Sequence, residues 1–216
     1  MAATLPAAGF GCGVSLVIAG RACGKTTLIC ELLRGRTTRV VGFSGLFARD
    51  APTYVRFGIA APHDGWEEGA VDELVEAQRR PDATPLTIVA DDVDWEYAGV
   101  LSSRGVRDAA LNGGCLRLSL VLATQYCARM PSWFTANVGR VFVGAIHGAA
   151  ERRRIWQRFV VDARCSVGFV DFSWLLDRCE VGVWLVIDRT AGDGAVRLYL
   201  LDGRRTSPND ESHPDA

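Results

Sequence analysis

Three short stretches of this sequence place residue types at spacings that could do phosphate chemistry. The first is Ala19-Gly20-Arg21-Ala22-Cys23-Gly24-Lys25-Thr26, followed by Thr27. Glycines, a lysine and a hydroxyl in this order let backbone N–H groups close around phosphate oxygens, as in the Walker pattern, with Ala19 in place of its first glycine. Lys25 would reach the β- and γ-phosphates of ATP, and the Thr26 hydroxyl would bind Mg2+. The second stretch is Leu86-Thr87-Ile88-Val89-Ala90-Asp91-Asp92, an apolar run that delivers two acids. Asp91 would hold the metal directly or through water, and Asp92 would polarise the attacking water as general base. Many strands end in Asp at a turn, so this pattern draws its weight from following the phosphate loop. The third stretch, Ser119 to Gln125, ends another apolar run on an amide that could sense the γ-phosphate or orient water.

Each stretch needs a rigid carrier. Val14–Ile18 is apolar enough for a strand buried on both faces, and a helix over 24–34 with Leu28, Ile29, Leu32 and Leu33 as its stripe should follow the loop. Strands are predicted at 39–43, 86–90, 116–123 and 141–144, with one more at 54–57 inside an otherwise irregular 44–66 segment. Helices are predicted at 67–80, 101–111 and 151–160. Strands at 181–187 and 196–200 would close the sheet as a C-terminal β-hairpin across Gly192–Gly194. Strands alternating with helices give an α/β fold with a mostly parallel sheet flanked by helices. A single domain over 10–202 is expected, between a flexible N-terminus (1–9) and a polar, disordered tail (203–216).

Composition narrows the field. The chain has 216 residues, 49% hydrophobic and 23% charged, with a net charge of −1. A nucleic-acid partner would therefore have to meet a local basic patch or an oligomeric pore. Lys25 is the only lysine among the 24 basic residues. In a chain whose composition suits a GC-rich genome, arginine has replaced lysine wherever either serves. The survivor sits where a compact ammonium fits and a planar guanidinium does not. Seven cysteines form no C-x-x-C pair and match no zinc spacing, so they read as reduced, mostly buried residues. Residues 1–20 carry no charged side chain, but Gly and Pro interrupt them, and a buried first strand explains them better than a signal or a membrane span.

With these motifs in order, the sequence resembles the FtsK–HerA superfamily of P-loop NTPases (ASCE, RecA-like), and within it the viral genome-packaging ATPases of the poxvirus type. Thr87-Ile88-Val89-Ala90-Asp91-Asp92-Val93 resembles that family's acidic-pair strand. The likeness continues through Leu118–Pro131, the Ala136-Asn137 pair and the helix after the next strand, Glu151–Phe159. The resemblance implies ATP hydrolysis with Mg2+ and movement of double-stranded DNA through a homo-oligomeric ring. It also implies viral assembly proteins as partners, at an assembly site in the host cytoplasm and in the virion.

Two departures stand out. The family places Arg-His just before the Gln strand, where this chain has Gly114-Cys115, and Arg before the Ala/Ser-Asn pair, where it has Thr135. An arginine finger from a neighbouring subunit is the implied source of transition-state charge. Arg104, Arg107, Arg117 and Arg140 are the candidates to replace it, and partner-dependent hydrolysis is one consequence. The Arg152–Arg154 run with Arg158 is either a phosphate-contacting patch or a solvated helix face. Two other functions suit the same motifs. A small-molecule kinase would use 44–66 as its acceptor pocket, and a nucleotide-gated assembly protein would bind ATP with little turnover.

Overall fold

In a computed structural model of the chain, residues 12–34, 38–45, 54–55, 59–92, 99–128, 130–161, 167–190 and 195–203 are described. The central strands form because their residues are apolar on both sides. Every residue of Leu86–Ala90 (β4) and Leu118–Thr124 (β5) is buried, as is all of Gly13–Ile18 (β1) after its first glycine. Arg39–Ser44 (β2) and Ala60–Asp64 (β3) extend the sheet on one side. Val138–Val143 (β6), Val183–Asp188 (β7) and Arg197–Asp202 (β8) extend it on the other. The order is β3-β2-β4-β5-β1-β6-β7-β8. The first six strands run parallel, and β7 and β8 are antiparallel additions that make the expected C-terminal hairpin.

Alternation along the strands divides the core in two. One face carries Leu16, Ile18, Phe43, Ile88, Leu120 and Val141. It is covered by the helices Glu68–Ala77 (α2), Arg104–Asn112 (α3), Ser132–Asn137 (α4), Ala149–Phe159 (α5) and Phe169–Leu176 (α6). The other face carries Val17, Val40, Val89, Val121, Phe142 and Trp184, packed under Leu28, Ile29, Leu32 and Leu33 of the helix Lys25–Leu33 (α1).

Four local features differ from the sequence expectation. Tyr54 and Val55 are helical rather than extended, and the strand comes later, at β3. The helix expected at 101–111 is split: Gly99 turns at φ 66°, Val100–Ser102 makes a 3-10 turn, and Ser103 caps α3 by accepting from the Val106 N–H. The helices α4 and α6 were not anticipated. The first spans six residues, and the second (Phe-Val-Asp-Phe-Ser-Trp-Leu-Leu) is too apolar and aromatic to show a helical period. Of the six cysteines described, three are buried, but Cys12 and Cys115 are exposed. The ends expected to be flexible lie outside the described residues, except that Gly203 bonds its N–H to the Gly182 carbonyl and so prolongs the hairpin.

Gly144 is set by space. A Cβ there would lie 2.8 Å from the Ala19 Cβ and 2.9 Å from the Trp184 ring, whereas a Cβ on Gly148 meets nothing within 4 Å. Gly144→Val should lower unfolding free energy by about 1–3 kcal/mol through overpacking against the phosphate loop. Gly148→Ala should stay within about 0.5 kcal/mol of wild type. Urea denaturation of the two variants checks this, and equal stability would refute the packing argument.

Candidate functional site

The loop after β1 is a left-handed bend built into a strand–helix junction. The Ala19 N–H bonds the Thr124 carbonyl, which continues the β1–β5 ladder one residue past Ile18. Ala22 and Gly24 then take φ values of 59° and 82°, and Gly24 is the N-cap of α1. Nothing would crowd a Cβ on Gly24, so glycine is there for its backbone angle rather than for room. Alternating left-handed residues at a helix start form a concavity of N–H groups that binds anions. Arg21, Ala22 and Thr27 are exposed, and Gly20 and Cys23 are partly so. Lys25 is only 8% exposed. Its ammonium donates to the carbonyls of Ala19 (3.2 Å) and Gly20 (3.0 Å), which holds it across the loop.

Asp91 follows β4 on the face covered by α1 and is 1% exposed. Two hydroxyls converge on one of its oxygens. Thr26 Oγ1 donates to Asp91 Oδ2 at 2.5 Å, and Tyr54 Oη donates to the same atom at 2.9 Å. Ser44 Oγ lies 3.2 Å from Tyr54 Oη. Since the phenol proton goes to Asp91, Ser44 is the donor in that contact. Burial lifts the Asp91 carboxyl above the ordinary carboxylate value. The bonds from Thr26 and Tyr54 oppose that rise, the Asp92 charge adds to it, and Lys25 opposes it. Burial, reinforced by the Asp91 charge, also raises Tyr54.

A hard divalent cation takes oxygen ligands, and Mg2+ binds through one or two side chains, waters and phosphate oxygens. A hydroxyl and a carboxylate already touching beside an anion-binding loop fit that donor set. Among the described residues no three or more His, Cys, Asp or Glu cluster as a metal cage.

The remaining expected residues are placed less tightly. Asp92 is exposed, with φ 52°. Gln125 is the first residue beyond β5, which lies between β4 and β1, and is partly exposed. The loop after it is clamped by α5. Glu151 accepts from the Cys127 N–H at 2.8 Å, and Arg158 donates to the carbonyls of Ala128 (2.7 Å) and Met130 (2.5 Å). Burial and the Glu151 charge push the Cys127 thiol up to about 12, which makes it an inert core residue.

The arginine run on α5 is therefore partly structural. Arg152 donates to the Ile146 and Ser173 carbonyls and to Asp177, Arg154 pairs with Glu151, and Arg153 lies over the Phe169 ring. Arg152 and Arg158 are held by the protein's own backbone carbonyls and are not a merely solvated face.

The four finger candidates separate by location. Arg117 donates to the Pro81 carbonyl and Arg140 pairs with Asp188, both toward the N-terminal ends of the parallel strands, away from the loop. Arg107 lies over the Trp133 ring. Arg104 opens α3 on the loop side and is exposed, with no hydrogen bond or ion pair among the described residues. At Thr135, where the family has arginine, Arg189 donates to the Thr135 and Val138 carbonyls.

Tyr54, Ser44 and Arg189 are the neighbours that sequence reasoning missed. Ser44 opens the segment read as irregular and Tyr54 begins the strand expected inside it, and only the fold brings the two to Asp91. Of the 44–66 segment assigned an acceptor pocket under the kinase reading, 46–53 and 56–58 lie outside the described residues.

No family model matches the chain, and no curated sequence is similar to it. Solved structures are. B204, the genome packaging NTPase of Sulfolobus turreted icosahedral virus 2 in complex with ATP-gammaS, has a TM-score of 0.60 at 10% identity, over 88% of this chain and 98% of that one. B204, the DNA-packaging ATPase of Sulfolobus turreted icosahedral virus, gives 0.63 at 12% identity, over 87% and 96%. EssC (ATPases 2 and 3) from Geobacillus thermodenitrificans gives 0.60 at 11% identity, over 93% of this chain but 41% of EssC. Identities this low establish fold alone. The fold is the one these ATPases share, a mostly parallel sheet flanked by helices, with an antiparallel hairpin at its C-terminal end in this chain.

The buried Asp91 carboxyl holds a proton more readily folded than unfolded. Its contribution to stability therefore falls as pH rises from the ordinary carboxylate range through its folded value, and at neutral pH the ionised group weighs against the fold. Asp91→Asn keeps an acceptor for Thr26 and Tyr54. It should melt above wild type at neutral pH without nucleotide, with the gap closing toward pH about 4. Calorimetric Tm across pH tests this, and a variant that melts lower at neutral pH would contradict it.

Proposed function

We propose that this protein is a Mg2+-dependent ATPase that packages a viral genome by driving double-stranded DNA through a homo-oligomeric ring, as a relative of the poxvirus-type packaging ATPases. The observation that carries the reading is the Thr26–Asp91 contact beside the phosphate loop, set in a fold that matches B204 over nearly that protein's whole length. EssC supplies the same fold only as part of a longer chain.

In this reading the loop Ala19–Thr27 wraps the phosphates of ATP, and Lys25 exchanges its two carbonyl contacts for phosphate oxygens. Thr26 and Asp91 would hold Mg2+, which supplies charge stabilisation at the phosphates when bound. Asp92 accepts a proton from the attacking water, and Gln125 orients that water or senses the γ-phosphate. A neighbour's arginine completes the site, and the exposure of Arg104 on the loop side favours it for that role. Viral assembly proteins are the further partners, and the setting is the host cytoplasm and the virion. Among the described residues no helix is long and apolar enough to cross a membrane.

Steady-state ATP hydrolysis with and without double-stranded DNA tests this directly. Turnover should rise with DNA, and Lys25→Ala and Asp92→Asn should each lower it by about a hundredfold or more. Phosphorylation of nucleosides without DNA stimulation would replace the motor by a kinase. ATP binding without turnover at any protein concentration would leave a nucleotide-gated assembly protein. The trans arginine has its own test. Lys25→Ala and Arg104→Ala should each be inactive alone, yet mixing them should restore part of the turnover, because some junctions then join an intact loop to an intact finger. No recovery on mixing would remove Arg104 from that role.

A further inference from the structure

Tyr54 has no place in the phosphate chemistry described so far, yet it is buried at 2% exposure with its hydroxyl on the Asp91 carboxylate. Its ring packs in the core beneath α1, in the cluster that holds Leu28, Leu32, Val40 and Val89. Ring and hydroxyl are thus fixed separately, the ring by packing and the hydroxyl by Asp91 and Ser44. Ser44 is itself 1% exposed and ends β2, the strand paired with β4. The Asp91 N–H bonds the Phe43 carbonyl, so backbone and side chain of Asp91 are both held from the β2 side. Thr26 meets the carboxylate from the α1 side.

We propose that Tyr54, backed by Ser44, is a positioning residue of the nucleotide–metal site: its hydroxyl fixes the Asp91 carboxylate facing Thr26, so that a divalent cation finds both protein ligands already aligned. Groups that hydrogen-bond a metal-ligating carboxylate orient it, and losing one commonly costs about ten- to a hundredfold in metal affinity. A carboxylate held by Thr26 alone can rotate about its own side-chain bonds. The tyrosine removes that freedom before the cation arrives, which is preorganisation rather than an added ligand. The inference rests on reading Thr26 and Asp91 as the Mg2+ pair.

Binding of a fluorescent ATP analogue to the full chain, titrated with Mg2+, separates the two ideas. Mn2+ binding in the presence of ATP, followed by electron paramagnetic resonance, gives a second readout free of turnover. Tyr54→Phe keeps the buried ring and should raise the half-saturating Mg2+ and Mn2+ concentrations about tenfold, while leaving nucleotide affinity without metal within about twofold. Ser44→Ala, which leaves Tyr54 intact but unsupported, should shift the metal requirement in the same direction by a smaller factor, about two- to fivefold. It also keeps the test open if Tyr54→Phe fails to fold. Asp91→Asn is the control. If it leaves the metal requirement unchanged, the metal pair itself is wrong and the proposal falls with it. If Asp91→Asn raises the requirement but Tyr54→Phe and Ser44→Ala do not, the metal pair stands and Tyr54 is a core ring whose hydroxyl only satisfies a buried acid.

Discussion

The hydrogen bond between Thr26 and Asp91 joins the start of a helix to the end of a strand across 65 residues of sequence, and the rest of the site is arranged around it. The two segments are not neighbours in the sheet, because β5 lies between β1 and β4. Register makes the contact. Ile18 pairs with Thr124 and Ala90 pairs with Leu122, so β4 ends two positions short of β5. Asp91 therefore turns in on a shelf level with Ala123, and alternation puts its side chain on the same face as Val89, under α1. Ser44 follows Phe43, the partner of Ala90, and reaches the same level on that face. A slip of one residue in β4 would move the carboxylate to the opposite face and leave Thr26 without it.

Placing a carboxylate there works against stability. Its charge is removed from water, and Thr26, Tyr54 and Lys25 only partly compensate. Apolar residues could fill the shelf, and the proposed metal role is what would account for an acid there. The same division of labour appears at the neighbouring strand end. Gln125 is loosely placed, while the loop behind it is fixed to α5 by Glu151 and Arg158. A fixed backbone beside a partly exposed side chain fits the phosphate-sensing role proposed for Gln125.

Much of this was legible in the sequence because phosphate chemistry demands particular residues at short range. The loop, the apolar strand before it and the acidic pair after β4 each fit within eight residues, and strands buried on both faces announce themselves by continuous apolar runs. The parts that escaped depend on distance in the chain or on packing. Tyr54 falls in a stretch read as a strand that is helical instead, and its contact with Asp91 comes from the fold alone. The arginines of α5 form a charged run in sequence, yet Arg152 and Arg158 turn onto backbone carbonyls, which no pattern of charge could show. The same holds for Arg117 and Arg140, whose placement toward the N-terminal ends of the strands, away from the loop, follows from strand register alone.

Every role proposed for these residues depends on where the metal and the phosphates sit. A crystal structure of the protein with Mn2+ and a non-hydrolysable ATP analogue, with the metal located by anomalous scattering, tests this most directly. A single Mn2+ peak is expected beside Thr26 and Asp91, with the β- and γ-phosphates inside the loop Ala19–Thr26 and Lys25 turned from its carbonyls onto them. Phosphates outside the loop, or a Mn2+ site remote from Asp91, would contradict it.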